Sequence, residues 1–414
     1  MATAYIIDVT NRDGVQAPRI CLSKFQKTIL DLYLDELGVF QSEFGFPITS
    51  HEINYLNANL ELVERGIITN TRLSGWLRAI PGDVELAFSN CPALKHVNLS
   101  ISTSDIMIEH KFGGKFSHDD VIATMIEAVK LAKERGAISV GVNAEDASRS
   151  DMDYLIEFAG AAESAGADRL RYCDTVGCET PFSIYERITN LASQLKMGIE
   201  VHCHNDIGMA VANSVAGAKA AIDSGSDVYV NTCINGIGER AGNADTISVI
   251  LALKHGCGLE HYGVDDRIKL DVAYRLCKYV SYALGIPIPI NQPAMGANAF
   301  AHESGIHAAG ALENRKTYEL YNLEDVGRGE PEIISTGQEI TVGEYSGIKG
   351  LRSVYFRMGI EFENDNHASE ILDLVRYASL HNQKSLLDVE LRFIAQYPDI
   401  TRQILTVEPI SAYL

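Results

Sequence analysis

Short apolar runs alternate with longer amphipathic segments through the first 285 residues of the chain. The apolar runs, which we predict to be β-strands, cover residues 4–10, 39–46, 72–79, 96–102, 138–146, 169–177, 198–206 and 227–236. The segments between them repeat apolar residues at helical spacing, most clearly over 118–137 and 152–167. Eight strands that alternate with helices predict the α/β class and a (β/α)8 TIM barrel. Strands that are apolar on both faces are typical of such a parallel, helix-covered sheet.

The pattern changes after residue 285. Residues 285–300, GIPIPINQPAMGANAF, are rich in proline, glycine and asparagine and predict a linker with little regular structure. Two or three helical segments follow, up to residue 414. We therefore predict a catalytic barrel over residues 1–285, and a hinge with a small helical C-terminal subdomain over 286–414 that completes the active site.

The composition narrows the classes of partner. A formal net charge of −20 without a block of basic residues makes nucleic acid and anionic membranes poor partners. The eight cysteines lack CxxC spacing, which favours reduced thiols over a disulfide framework. The N-terminus enters a strand pattern without the features of a signal peptide, and no apolar run approaches the roughly 18 residues of a membrane span. We expect a cytoplasmic protein that acts on small molecules.

Polar residues collect where five of the eight predicted strands end. These clusters are Asp8–Asp13, Glu145–Asp146, Asp174–Thr175, His202–Asp206 and Asn235–Asn243. In a (β/α)8 barrel the carboxyl ends of the strands meet at one rim, where catalytic loops lie. Packing alone explains such clustering poorly, so we predict a functional site at this rim.

Two histidines in the stretch VHCHND suggest what the site holds. His202 and His204 alternate along a predicted strand, so both imidazoles face the same side, as two ligands of one metal ion would. Asp13 could add a carboxylate oxygen, and Asn243 a carbonyl oxygen. Arg12 could bind a substrate carboxylate through two hydrogen bonds. Taken alone, the histidine pair is equally consistent with two packed histidines, and the segment 12–14 with an ordinary turn.

Six motifs, taken together in chain order, carry a resemblance to a known family. They are DVTNRDGVQ (8–16), EDASRSD (145–151), DTVG (174–177), HCHND (202–206), NGIGERAGNAD (235–245) and FAHESGIHAAG (300–310). From residue 5 to about 350 the chain resembles the isopropylmalate synthase and homocitrate synthase family of metal-dependent barrel enzymes, which condense an acyl-CoA with a 2-oxo acid. Related lyases carry a cysteine in the glycine-rich loop over 235–243, and its absence here favours condensation over cleavage.

The resemblance implies a role for each matching residue. Four residues would hold one divalent cation (Mn²⁺, Mg²⁺, Zn²⁺ or Co²⁺): Asp13, His202, His204 and Asn243. Arg12 would stabilise the carbonyl oxygen of the 2-oxo acid, with Gln16 beside the substrate and Thr175 on its C1 carboxylate. The residues that would serve the proton transfers are Glu145 and His302, with Tyr318 beside them. Acetyl-CoA would be the co-substrate, closure of the C-terminal subdomain would assemble the site, and the family suggests a homodimer.

The 2-oxo acid is predicted from departures within these motifs. Lysine-pathway homocitrate synthases commonly have an arginine where this chain has Gly141, which weakens that branch. The stretch NAEDASRSD is similar to nitrogen-fixation homocitrate synthases, and DVTNRDGVQ to Re-face citrate synthases, which use oxaloacetate. Both substrates are dicarboxylic. We favour citrate synthesis, then homocitrate synthesis, then isopropylmalate or citramalate synthesis. A metabolite-binding barrel without catalysis is the alternative from another class. The leucine-sensing domain of many isopropylmalate synthases is not expected in this chain.

Overall fold

The eight predicted strands form a closed barrel. The computed structural model describes residues 2–331 and 336–406. The strands are β1 Thr3–Asp8, β2 Gln41–Gly45, β3 Arg72–Arg78, β4 His96–Ser102, β5 Ser139–Glu145, β6 Arg169–Asp174, β7 Gly198–Cys203 and β8 Val228–Thr232. Each pairs in parallel with the next, and β1 pairs with both β8 and β2, which closes the sheet. A ninth strand of two residues, Gly263–Val264, was not predicted and pairs with the start of β1.

The predicted strands extend too far at their carboxyl ends. β1 ends at Asp8, β6 at Asp174, β7 at Cys203 and β8 at Thr232. After these residues the chain turns, because polar side chains there hydrogen-bond to nearby backbone; for example, Asp8 accepts from the backbone N–H of Thr10 at 2.9 Å. These turns form the rim of the barrel.

Helices cover the outside of the barrel, as predicted. They are α1 Lys24–Leu37, α2 Ile53–Glu64, α3 Pro81–Asn90, α4 Asp105–Lys111, α5 His118–Glu134, α6 Met152–Ala165, α7 Pro181–Gln194, α8 Ala210–Asp223, α9 Thr246–His255 and α10 Ala273–Leu284. Local sequence fixes their ends. At the start of α1, Ser23 accepts from the N–H of Gln26, and the Gln26 side chain accepts from the N–H of Ser23. The helix ends at Gly38, whose φ of 84° suits glycine.

Much of the barrel interior is polar, which corrects the expectation of strands that are apolar on both faces. Along β6, Leu170 and Tyr172 pack among the core residues, whereas Arg169 and Arg171 take part in hydrogen bonds across the barrel interior. The interior polar residues on other strands are also buried: Gln41, Glu43, Asn98, Glu200 and Asn231. Charged residues are tolerated there because each finds an opposite charge or a hydrogen-bond partner.

The C-terminal region is helical, as predicted, but its described residues hold more helices than the two or three expected. It contains α11 Gly305–Glu313, α12 Ile348–Arg357, α13 Asp365–Asn382, α14 Asp388–Gln396 and α15 Pro398–Leu405. The last helices pack on the barrel: the rings of Phe25 and Phe393 lie 5.6 Å apart, and Tyr279 donates to Glu390 at 3.2 Å. The domain boundary at residue 285 stays a prediction.

Helix α11 differs from the other C-terminal helices because none of its residues is buried. Ile306 and Leu312 are 77% and 88% exposed. Within the described residues, none of the helices is both long enough and apolar enough to cross a bilayer.

Candidate metal centre and substrate cavity

A cavity of about 290 Å³ lies at the carboxyl ends of the barrel strands. Seven residues predicted from the sequence line it: Arg12, Asp13, Gln16, Glu145, Thr175, His202 and His204. The other seven lining residues were not assigned to the site from the sequence: Trp76, Ser100, Asn143, Arg171, Cys173, Glu239 and Arg240. The rim therefore brings together side chains from β1, β3, β5, β6 and β7 or the turns that follow them.

Asp13, His202 and His204 form a compact cluster of potential metal ligands. One ligand atom from each lies within 4.8 Å of the other two. Oδ2 of Asp13 is 3.4 Å from Nε2 of His202 and 4.0 Å from Nε2 of His204, and the two Nε2 atoms are 3.2 Å apart. Donor atoms that share one cation at about 2.1 Å lie roughly 3 Å apart, so this spacing fits a divalent ion.

A buried partner orients His202 for metal binding. Nδ1 of His202 lies 3.2 Å from Oδ1 of Asn231, whose Nδ2 donates to Glu200 at 2.7 Å. Because Glu200 fixes the direction of this amide, its oxygen faces His202, and Nδ1 is the nitrogen that carries the hydrogen. Nε2 is left with its lone pair towards Asp13 and His204. Such outer partners commonly fix a ligating imidazole.

The charges of the cluster also suit a cation. Burial raises the pKa of Asp13, but Arg12, His202 and His204 outweigh burial and hold that pKa well below its usual range. Burial, with the neighbouring His202, lowers the pKa of His204 to about 3, so this imidazole is neutral near pH 7. Metal ligands must be deprotonated, and both groups meet that condition.

Asn243 lies beside this cluster. It forms an isolated antiparallel bridge with His204, and the N–H of Asn205 donates to the carbonyl of Gly242 at 2.9 Å. Oδ1 of Asn243 is buried without a hydrogen-bond partner among the described residues, and the same holds for Oδ1 of Asp13. Buried polar atoms without a partner are rare, so these two oxygens fit the donor set of a hard or borderline divalent cation.

Glycines permit the loop that carries Asn243. A Cβ on Gly238 would lie 2.3 Å from Nδ2 of Asn243, which is too close for a side chain. Gly242 has a φ of 92°, and a Cβ there would lie 2.1 Å from the carbonyl oxygen of Gly236. The glycine-rich sequence NGIGERAGN is thus required by the close approach of the loop to its own asparagine.

Arg12 belongs to an ionic network that the sequence analysis missed. Its guanidinium donates to Asp13 at 2.8 Å and to Glu43 at 2.7 Å. The other oxygen of Glu43 accepts from Arg171, whose Nε donates to Glu200. Burial raises the pKa of Glu43, but Arg12 and Arg171 outweigh it and lower the pKa to about 2. The sequence did contain a signal for this network: Arg169 and Arg171 on β6, and Glu200 and His202 on β7, are two residues apart. Residues two apart share one face of a strand, so each pair points to a polar face.

Glu145 and Thr175 line the cavity on its other side. Oε2 of Glu145 accepts from Ser102 and from Lys111. Oγ1 of Thr175 accepts from the backbone N–H of Asp146 at 2.9 Å, which leaves its hydroxyl hydrogen free to donate elsewhere.

His302 and Tyr318 do not line the cavity. They form a separate group in the C-terminal region, where their rings lie 6.1 Å apart and the ring of His307 is 4.3 Å from that of Tyr318. Nε2 of His302 lies 3.8 Å from Glu319. The structure therefore brings together the predicted cation ligands and leaves two of the predicted proton-transfer residues outside.

These features define a (β/α)8-barrel protein with a candidate divalent-cation centre on its carboxyl rim. The chain belongs to the HMGL-like family, whose model matches residues 3–280. A second family model, described as homocitrate synthase post-HMGL domain-like, matches residues 294–382. The resemblance to the isopropylmalate and homocitrate synthases is confirmed.

Individual relatives cover nearly the whole chain. It is 54% identical to the citrate (Re)-synthase of Dehalococcoides mccartyi over 99% of both chains. It is 38% identical to 2-isopropylmalate synthase 2 of Caldanaerobacter subterraneus over 96% of this chain and 95% of the relative. Among solved structures, hydroxymethylglutaryl-CoA lyase from Pseudomonas aeruginosa matches with a TM-score of 0.56 and 16% identity, covering 69% of this chain and 94% of the lyase. That last likeness shows the barrel fold.

Proposed function

We propose that the chain condenses acetyl-CoA with oxaloacetate at a divalent cation, giving citrate and free CoA, with attack on the Re face. The 54% identity over 99% of both chains to a citrate (Re)-synthase carries this proposal. The clustering of Asp13, His202 and His204 beside Arg12 supports it. A cation and a guanidinium that lie close together can both bind the carbonyl oxygen and the carboxylate of a 2-oxo acid. In the reaction a proton leaves the acetyl methyl group, and the methyl carbon bonds to the keto carbon. The keto oxygen takes up a proton and becomes the hydroxyl group. Water then cleaves the thioester, releasing CoA.

The residues of the cavity have distinct tasks in this proposal. A cation held by Asp13, His202, His204 and Asn243 supplies Lewis-acid polarisation of the 2-oxo group. Arg12 donates to the carbonyl oxygen as negative charge builds on it. Thr175 directs its free hydroxyl hydrogen to the C1 carboxylate, and Gln16 lies beside the substrate. Glu145 takes part in proton transfer, held in place by Ser102 and Lys111.

We also propose that residues 286–414 complete the active site, and that the protein is a homodimer. His302 is suited to take the methyl proton because histidine is the side chain that most often serves as a general base, and Tyr318 is its neighbour. Both lie outside the cavity of the single chain. The exposed apolar residues Ile306 and Leu312 of α11 supply a surface for a second copy. Sedimentation equilibrium that returned the mass of one chain would contradict the dimer.

A thiol-release assay tests the reaction and its substrate. Free CoA is measured with acetyl-CoA and, in turn, oxaloacetate, 2-oxoglutarate, 2-oxoisovalerate and pyruvate, with Mn²⁺, Mg²⁺, Zn²⁺ or Co²⁺ present. We expect the highest kcat/KM with oxaloacetate. The Asp13→Asn variant, which removes a ligand charge, is expected to release little CoA with any acid. Absence of CoA release from the parent under all conditions would favour a metabolite-binding barrel without catalysis.

Homocitrate synthesis is the second candidate, and the match of residues 294–382 to the homocitrate synthase post-HMGL model favours it. Its substrate, 2-oxoglutarate, is one methylene longer than oxaloacetate. One methylene supports only roughly 10–200-fold discrimination, so activity with both acids is expected. A higher kcat/KM for 2-oxoglutarate would replace the citrate assignment and keep the reaction class.

The face of attack needs a separate measurement. Citrate is made from acetyl-CoA that carries a label in its acetyl group. It is then cleaved with a citrate lyase that releases, as acetate, the arm that attack on the Si face would have added. Attack on the Re face places the label in the released oxaloacetate rather than in acetate.

We further propose a cytoplasmic location, which the eight cysteines support because all of them are free.

A further inference from the structure

We infer that Arg171 binds the second carboxylate of the 2-oxo acid, and that Asn143 positions it. This inference rests on the proposed function. Of the two interior arginines of β6, Arg171 is the one that lines the cavity. It lies on the strand next to β5, which carries Gly141, the position at which lysine-pathway homocitrate synthases commonly have an arginine. Charge for a distal carboxylate would therefore come from β6 rather than from β5.

The strand β5 is unable to supply that charge. A Cβ on Gly141 would lie 2.1 Å from Oδ1 of Asn98, so any side chain at residue 141 would displace Asn98. Asn98 is itself held in place, because its Nδ2 donates to Glu43 at 2.5 Å. An arginine at residue 141 would therefore disturb the contact between Asn98 and the carboxylate that Arg12 and Arg171 share.

Arg171 is held with one edge available to the cavity. Its Nε donates to Glu200, and its Nη2 donates to Glu43. Its Nη1 has no carboxylate partner among the described residues. With the amide of Asn143 turned so that its oxygen faces Arg171 and Trp76, which satisfies both donors, Nη1 donates to that oxygen at 3.3 Å. The same oxygen accepts from Nε1 of Trp76 at 3.2 Å. Two carboxylates thus fix the direction of the guanidinium, and the second N–H of Nη1 is left for a ligand.

Glu43 lies between this guanidinium and that of Arg12. One oxygen of Glu43 accepts from Arg12, and the other accepts from Arg171. Arg12 also contacts Asp13, a candidate cation ligand, whereas Arg171 contacts Asn143 on β5. Arg12 thus lies at the candidate cation centre and Arg171 lies away from it, as a substrate with a carboxylate at each end requires. A third arginine that lines the cavity, Arg240, is paired with Asp206.

The interior charges agree with a doubly charged substrate. Three arginines and three carboxylates form the connected network, so their formal charges cancel: Arg12, Arg169, Arg171, Asp13, Glu43 and Glu200. A divalent cation at Asp13 would add two positive charges. A dicarboxylic 2-oxo acid restores the neutrality of this network, whereas a monocarboxylic one leaves the network and its cation with one excess positive charge.

The test compares oxaloacetate with pyruvate, which lacks only the second carboxylate. In the Arg171→Gln variant we expect the ratio of kcat/KM for oxaloacetate to that for pyruvate to fall roughly 100-fold, since sites built to hydrogen-bond a group discriminate strongly against analogues without it. Arg169→Gln is the matched control. Arg169 lies two residues earlier on the same strand and also pairs with Glu200, but it does not line the cavity. Both variants remove one positive charge from the network, so the ratio should fall much less in Arg169→Gln than in Arg171→Gln.

Two further variants keep the test decisive if Arg171→Gln does not fold. Arg171→Lys preserves the interior charge and loses the planar fork, and should lower the ratio by a smaller factor. Asn143→Asp places a carboxylate against Arg171 and should lower it at least tenfold. Calorimetric binding of oxaloacetate to the Mn²⁺-loaded protein provides a readout without turnover, and its Kd should rise in parallel.

The outcomes separate this inference from the proposed function. If the parent prefers a monocarboxylic acid, the proposed function fails. If the parent prefers oxaloacetate, and the ratio and the oxaloacetate Kd stay unchanged in the folded variants of Arg171 and Asn143, the proposed function stands and Arg171 is not the recognition residue.

Discussion

Replacing Glu43 with glutamine removes the carboxylate that two arginines share inside the barrel. Glu43 is fully buried and contacts both Arg12 and Arg171. Its pKa is lowered from 4.5 to about 2, because the two arginines outweigh the effect of burial. At 1.36 kcal/mol for each pKa unit, this shift corresponds to about 3 kcal/mol of stability near pH 7. Removing one partner of a buried ion pair independently costs about 3–5 kcal/mol.

The pH dependence has a definite sign. A carboxylate with a lowered pKa in the folded state stabilises the protein fully above its unfolded pKa of about 4.5, and the contribution disappears as the pH falls towards 2. We therefore expect Glu43→Gln to be less stable than the parent by about 3 kcal/mol at pH 7, with the difference shrinking below pH 4.5. Urea unfolding followed by circular dichroism at several pH values measures both quantities.

Glu52→Gln is a matched control. Glu52 is also buried, pairs with Lys24 and Lys27, and has a pKa lowered to about 2 because these lysines outweigh burial. Unlike Glu43, it contacts neither Arg12 nor Arg171. Both variants are expected to lose stability, but only Glu43→Gln should also weaken Mn²⁺ binding, by about tenfold, as changes behind metal ligands do. A Glu43→Gln protein with parental stability and Mn²⁺ affinity would refute the electrostatic reasoning.

Two more predictions concern residues named from the sequence. His202→Ala is expected to lose bound Mn²⁺ and CoA release together, measured by metal analysis after dialysis; full metal retention would contradict the ligand assignment. His302→Ala is expected to keep oxaloacetate binding while its turnover falls by about two orders of magnitude or more, the usual effect of losing a general base. Normal turnover of His302→Ala at saturating substrate would contradict its role. If activity recovers when the His302→Ala and Asp13→Asn proteins are mixed, His302 serves the cavity of a second copy. If activity does not recover, His302 serves the cavity of its own chain.

The position of the cation centre was predictable because it depends on strand order and strand ends. Once eight parallel strands are inferred, Asp13 after β1 and His202 and His204 at the end of β7 must approach the same rim, whatever the details of the barrel. The distances between their ligand atoms agree with that inference. A period of two then places both imidazoles on one side, so no long-range information is needed for this part of the site.

The ionic partners of the site were not predictable in the same way. Arg171 and Glu43 are 128 residues apart, and their pairing depends on how side chains cross the interior of the closed barrel. An arginine and a glutamate within predicted strands give no sign of which residue opposite each will contact. His302 was named by resemblance, but the sequence contains nothing that fixes the position of the C-terminal region relative to the rim.

The buried contacts connect the candidate cation centre to the proposed substrate-binding residue Arg171. A continuous ring of polar contacts runs through seven residues, in this order: His202, Asn231, Glu200, Arg171, Glu43, Arg12 and Asp13, which returns to His202. Glu200 therefore orients a candidate metal ligand through Asn231 and at the same time holds Arg171. Because one carboxylate fixes both ends, a change that moves Arg171 should also turn the imidazole of His202. Substrate preference and metal affinity are then expected to change together in variants of Glu200, whereas two independent sites would let each change alone.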